Sequence, residues 1–141
     1  MEQLYHLGIK ALISNGEGKF LVLKVNPEKL RDTDEVYWDI PGGRVQVGST
    51  ANDTLVREVL EETGLTVSSL GKSLGTYLSN IMIPTDQGAV GLLLSVYQVH
   101  VQEGNIQLSV EHTSADWVSQ SELGERLRHK YPEGFLRMFT E

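Results

Sequence analysis

The sequence predicts a mixed α/β sandwich. Two observations carry that reading. Strand-like apolar runs fall into two groups, and the segment between them has both helical periodicity and helix boundary signals. The order of elements is strands, helix, strands, helix, which does not fit regular βαβ units.

Taken in order, residues Leu4 to Ser14 mix Leu, Ile, Ala and Tyr with few polar side chains and read as a buried strand. Asn15-Gly16-Glu17-Gly18 is a turn signal, and Phe20 to Val25 reads as the returning strand of a hairpin. Asn26 to Glu35 is polar and reads as an exposed loop. Tyr37 to Ile40 is expected to be extended, because Pro41 pushes the residue before it out of the helical region.

Thr50 to Thr63 is the clearest helix. Ser49 or Thr50 can cap its start, and Gly64 suits the position just past its end. Strands are expected at Leu70–Leu78 and Val90–Val101, with a loop holding Pro84, Asp86 and Gly88 between them. Gly104-Asn105 marks a turn and Ala115–Val118 a short strand. A polar helix from Ser119 to about Arg128 and a short one over Glu133–Phe139 complete the chain. No repeat or linker interrupts residues 1–141, so one domain is expected.

Composition narrows the function. Hydrophobic residues make up 40% of the 141, enough for a core. The formal charge of −7 argues against a nucleic-acid polymer as partner, yet not against a small phosphorylated ligand held through a cation. The absence of cysteine rules out disulfides, thiolate metal sites and cysteine nucleophiles. No basic stretch leads into an apolar run at the N-terminus, and no run is long enough to cross a bilayer, so a cytoplasmic protein without membrane contact is expected. Monomer and homodimer are both open.

The chemistry is concentrated on the central helix. Leu55, Val56, Val59, Leu60 and Thr63 are expected on one side, with Arg57, Glu58, Glu61 and Glu62 on the other. Three neighbouring carboxylates repel by a few tenths of a kcal/mol per exposed pair. A hard divalent cation turns that repulsion into attraction. An isolated Glu-x-x-Glu-Glu is usually a solvated helix face. Here Pro41-Gly42-Gly43 lies just upstream, a bend whose backbone can approach a ligand closely.

From Gly43 to Leu65 the chain resembles the Nudix box, G-x5-E-x7-R-E-U-x-E-E-x-G-U, where U is a bulky aliphatic residue. Gly43, Arg57, Glu58, Val59, Glu61, Glu62, Gly64 and Leu65 match, and Ser49 stands where the family has Glu. Trp38 to Gly43 is similar to the family's usual approach to the box, and Glu111-His112 followed by Trp117 to a late segment of many members.

The resemblance implies a MutT-like Nudix hydrolase with an α/β/α sandwich around a mixed sheet. Magnesium, with manganese as a substitute, is the implied cofactor. Gly43, Glu58, Glu61, Glu62 and Glu111 are the implied metal-holding residues. Glu58, Glu61, Arg57 and Glu111 are the implied catalytic set: Glu58 as a ligand or the group that orients the attacking water, Arg57 as a clamp on the carboxylates. His112 reads first as structural. A nucleoside diphosphate derivative is the implied substrate, a nucleoside triphosphate being the default, since neither the proline marker of ADP-ribose enzymes nor the tyrosine marker of dinucleoside polyphosphate enzymes fits the residues that follow the box. A different class stays open: a Nudix-fold nucleotide sensor with little or no turnover. Three retained carboxylates argue for catalysis.

Tyr37, Trp38, Tyr77 and Phe20 are candidates to stack on a base, although core positions are commoner for aromatic residues. Lys10, Lys24 and Arg44 are candidates for phosphate contact, each with a solvated surface role as the commoner alternative.

Overall fold

The computed structural model describes residues 1–30 and 35–140. β1 (Tyr5–Ile13) pairs in parallel with β7 (Gly88–Val101) and antiparallel with the short β4 (Gly42–Arg44). β7 also pairs antiparallel with β5 (Val67–Leu78) and with β6 (Ile83–Thr85), giving a mixed five-stranded sheet. A second, antiparallel sheet has the order β3-β2-β8, from Trp38–Asp39, Phe20–Val25 and His112–Val118. The helices are α1 (Ala51–Thr63), α2 (Gln120–Leu127) and α3 (Glu133–Leu136).

Strand alternation builds a core on each side of the sheets. Ile9, Ala11 and Ile13 of β1 join Leu21 and Leu23 of β2 against Leu55 and Val59 of α1. Leu12 and Val22 point the opposite way, into a cluster with Leu123, Leu127, Tyr131, Phe135 and Phe139. Burying each of the Leu, Ile and Val side chains among them stabilises the fold by roughly 1.5–3 kcal/mol. The fold class predicted from sequence is the one found.

The expected hairpin is not. β1 and β2 belong to different sheets, and one isolated bridge, Ser14 to Phe20, links their ends. Asn15 tightens the turn, its side chain accepting from the N–H groups of Glu17 and Lys19, and the chain crosses between sheets there. Strands buried on both faces find partners on other segments, so adjacency in sequence does not decide pairing.

Smaller differences have local causes. Pro27–Lys29 forms a 3-10 turn capped by Asn26, inside the segment read as loop; residues 31–34 of that segment lie outside the described residues. β6 occupies part of the expected 79–89 loop, where Thr85 meets Gly88 across a tight turn. β5 begins at Val67 and β8 at His112, three residues earlier than expected in each case.

Candidate active site

Helix α1 begins at Thr50, whose hydroxyl accepts from the Asp53 N–H; Ser49 precedes the cap and does not serve as one. It ends at Gly64, which has φ 75° and closes the last turn through its N–H to the Leu60 carbonyl. That left-handed conformation suits glycine.

The buried side of α1 carries Thr54, Leu55, Val59, Glu62 and Thr63. Val56 and Leu60, expected on the same side as Leu55, Val59 and Thr63, are 43% and 52% exposed. With Val59 at the centre and about 100° per residue, Leu60 sits roughly a quarter-turn off the stripe, while Glu62 is only about 60° from its centre on the side of Glu58. Glu62 therefore leaves the outer carboxylate face and enters the interior.

There it accepts the Gly42 N–H at 2.9 Å and is 4% exposed. Burial pushes its pKa up to about 8, with the charges of Glu58 and Asp39 adding and Lys10 and the Gly42 N–H opposing. Glu58 lies over Gly43 so closely that a β-carbon on the glycine would fall 2.6 Å from Glu58 Cδ. Its pKa is raised by burial and by Glu61, with Arg57 opposing and Glu111 adding. Arg57 straddles two carboxylates, 3.4 Å from Glu58 and 3.9 Å from Glu61, rather than forking onto one. Glu61 is the exposed member.

The sequence-named residues thus meet around β4: Glu58 and Gly43 in contact, Glu62 behind them on Gly42, and the Glu111 charge close enough to be felt at Glu58. Among the described residues no three His, Asp or Glu side chains form a ready-made metal cage.

A cleft of about 820 Å³ opens beside them; Glu62 and Glu111 line it, whereas Arg57, Glu58 and Glu61 are not among its lining residues. Gly42, Gly43, Arg44, Glu62 and Glu111 form one side of it. Ile81, Ile83, Leu92 and Leu94 give it an apolar wall, and Tyr37 and His129, stacked at 4.6 Å, another. Of the candidate stacking residues only Tyr37 lines this cleft. Trp38 lies under the Arg126 guanidinium, Tyr77 packs on Phe135, and Phe20 on Phe139.

The cleft floor holds a feature that sequence reasoning missed. Asp39, 4% exposed, accepts from Lys10 Nζ at 3.1 Å and Lys130 Nζ at 2.6 Å on one oxygen. Its other oxygen takes the Tyr131 hydroxyl at 2.6 Å and its neighbour's N–H, from Ile40, at 2.8 Å. Burial alone raises the Asp39 carboxyl. The two ammonium charges and the hydrogen bonds from Lys130 and Tyr131 outweigh it and hold the group well below the usual range. Tyr37 is pushed up to about 12 by burial and by the Asp39 charge, with Lys10 opposing.

Lys10 was expected at the surface and is 5% exposed. The signal was available: one lysine inside Leu-Gly-Ile-Lys-Ala-Leu-Ile sits among residues that bury, and a buried ammonium needs a partner. Its partner lies 29 residues away and is not readable from spacing. His112 also lines the cleft; among the described residues its buried Nδ1 has no hydrogen-bond partner, and burial lowers its pKa.

Among the described residues, no helix is long and apolar enough to cross a membrane. Comparison with known proteins agrees with the geometry. The family model described as the NUDIX domain matches residues 4–139. A MutT-like protein of Streptomyces ambofaciens is 27% identical over 91% of this chain and 73% of its own length. A putative 8-oxo-dGTP diphosphatase of Bacillus subtilis (strain 168) is 35% identical, over 52% of this chain and 44% of its own. The crystal structure of a MutT protein from Methanosarcina mazei Go1 superposes with a TM-score of 0.74 at 27% identity, covering 99% of this chain and 93% of that one. Nudix hydrolases generally use divalent metals and act on small nucleotides. The match across residues 4–139, together with the carboxylate helix set against its glycine strand, places this chain in the Nudix family of pyrophosphohydrolases.

Proposed function

We propose that this cleft hydrolyses a phosphoanhydride bond in a nucleoside diphosphate derivative, with a nucleoside triphosphate, cleaved to the monophosphate and pyrophosphate, as the leading substrate. One observation carries the reading: Glu58 and Glu62 are packed against Gly43 and Gly42, and both glycines and Glu62 line a cleft of about 820 Å³. That volume is in the range of small-molecule sites, roughly 300–1,000 Å³.

The donor set fits a hard divalent cation. It consists of carboxylate and carbonyl oxygens, and the carboxyl of Glu62 resists ionisation until a positive charge compensates it. Magnesium, or manganese in its place, would be held by Glu58, Glu61 and Glu62 with the Gly43 carbonyl and Glu111. When bound it supplies charge neutralisation at the anhydride oxygens and acidifies water.

The chain's own groups do the rest. Glu58 orients or deprotonates the attacking water, held in place by Gly43 beneath it and Arg57 beside it. Arg44 at the cleft edge meets phosphate charge. Water adds hydroxide to one phosphorus, and the leaving phosphate takes the proton. Positioning and electrostatics supply most of the rate.

The test is a release assay with magnesium and with manganese over nucleoside di- and triphosphates, nucleotide sugars, dinucleoside polyphosphates and 8-oxo-dGTP, the last because of the names carried by relatives. Metal-dependent release of pyrophosphate or phosphate from a nucleotide supports the reading. No release from any member, with nucleotides still raising the melting temperature, would replace it with the sensor.

A further inference from the structure

The floor of the cleft carries more hydrogen-bond donors than the described residues use. A carboxylate has about four acceptor positions. Those of Asp39 are filled by Lys10, Lys130, Tyr131 and the Ile40 N–H. Each ammonium has three N–H donors. Among the described residues Asp39 is the hydrogen-bond partner of both Lys10 and Lys130, one bond to each. Both lysines line the cleft, with side chains only 7% and 12% exposed. The next carboxylate, Glu62, faces Gly42 and bonds neither lysine.

Two ammonium groups share one carboxylate through a single hydrogen bond each, so most of their donors are unused among the described residues. Buried donors and charges without partners are costly, so a ligand that completes them gains what the free protein lacks. His112 lines the same cleft, and among the described residues its buried Nδ1 has no partner; in the tautomer that carries the proton on Nδ1 it is a further unused donor. Lys10 is fixed in its pose from both ends. Its stem crosses Gly42, where a β-carbon would lie 2.9 Å from Lys10 Cδ, and its tip is held by Asp39.

We propose that Lys10, Lys130 and His112, arranged around Asp39, form the subsite that selects the substrate, and that it takes a group presenting acceptor oxygens in preference to one presenting amino hydrogens. Resting on the reading of the cleft as a nucleotide site, this assigns the oxygen either to a keto-substituted base or to a phosphate. An amino group facing the floor meets ammonium donors and leaves them unpaired. A keto oxygen or phosphate oxygen accepts from them. A charge-assisted bond to a buried donor is worth about tenfold or more in affinity.

The test separates this from turnover. Binding of GMP, UMP, AMP and CMP, and of pyrophosphate alone, is measured by calorimetry on the wild type, Lys10→Met and His112→Phe. Lys10→Met leaves Asp39 with Lys130 and Tyr131; His112→Phe supplies the answer if the first variant does not fold. Expected is binding of GMP and UMP about tenfold tighter than AMP and CMP, lost in the variants. Pyrophosphate binding that depends on Lys10, without base preference, assigns the oxygen to phosphate and supports the same donor chemistry. Equal binding of every probe by wild type and variants overturns the proposal, as does preference for AMP and CMP. A protein that binds GMP with the expected preference yet releases nothing from GTP would retain this subsite and lose the hydrolase reading.

Discussion

The carboxylate of Glu62 on α1 accepts the backbone N–H of Gly42 on β4 at 2.9 Å, so the helix is tied to the glycine strand from inside. The tie requires glycine at position 42. Its φ is 152°, and a β-carbon there would lie 2.1 Å from the Ile9 carbonyl oxygen. The Ile9 backbone belongs to a central strand and cannot yield. Gly42→Ala is expected to cost roughly 3–5 kcal/mol, in the range of the most damaging point substitutions. Urea denaturation measures it; a loss under about 1 kcal/mol would show that β4 can shift.

Glu62 also makes the metal-free protein sensitive to pH. Its folded pKa of about 8 lies above the usual 4.5, so the neutral carboxyl favours the fold. That contribution is complete below 4.5 and is lost as pH rises through 8. Asp39 acts in the opposite sense: its contribution is complete above the usual 3.8 and falls only in stronger acid, so it is constant across the Glu62 window. The melting temperature in a chelator is expected to fall from pH 5 to pH 8.5, and Glu62→Gln to flatten that slope. An unchanged slope in the variant rejects Glu62 as its source.

Removing the negative charge from the floor leaves two buried ammonium groups facing each other. Asp39→Asn is expected to destabilise by about 3–5 kcal/mol, the cost of breaking a buried ion pair from one side. Adding Lys10→Met to that variant relieves one of the charges and is expected to restore part of the loss. A double-mutant cycle in denaturant reads the coupling; strict additivity would mean the three groups do not act together.

Gly43 and Glu58 separate activity from stability. A methyl group at position 43 strikes the Glu58 side chain, which can swing away, rather than backbone. Gly43→Ala is expected to lower kcat/KM by about 100-fold through misplacement of Glu58 while changing stability far less than Gly42→Ala does. Glu58→Gln gives the comparison: if it leaves hydrolysis intact, Glu58 neither holds the cation nor handles the water.

Ser49 is the one departure from the family box, and it lies one residue before the Thr50 cap, outside the residues that line the cleft. Arg57 already has carboxylate partners in Glu58 and Glu61. Ser49→Glu is expected to stabilise α1 by about 0.3–1 kcal/mol through its dipole and to change kcat/KM by no more than about twofold. A large gain in rate or in magnesium affinity would show instead that Ser49 limits this enzyme.

Helix α1 was legible because its signals are local: a cap, an apolar stripe and a terminal glycine within one segment. The Nudix box was legible for the same reason, since Gly43 and Arg57 to Leu65 lie in one short stretch. What sequence reading missed depends on distant partners. Nothing near Asp39 announces that Lys10 and Lys130 converge on it, 29 and 91 residues away. The hairpin reading failed because Ser14–Phe20 is a crossing between sheets, decided by which strands β1 and β2 meet elsewhere. Val56 and Leu60 show the limit of sorting residues by type, since the helix turns Glu62 inward and leaves two aliphatic side chains in solvent.

The parallel pairing of β1 with β7 has a kinetic consequence. Tyr5 sits opposite Gly91 and Ile13 opposite Val99, so most of the chain must be looped out before the central pair can close. Such long-range closure slows folding, because chain entropy is lost before contacts repay it. Lys10 is carried on β1, Leu92 and Leu94 on β7, and Glu62 of α1 meets the cleft beside Gly42 of β4, on the β1 edge. An early intermediate can therefore contain helix α1 with all its glutamates and still lack a binding cleft. In a refolding experiment, helical signal should return before ligand affinity, and affinity should appear together with the last burial of β7.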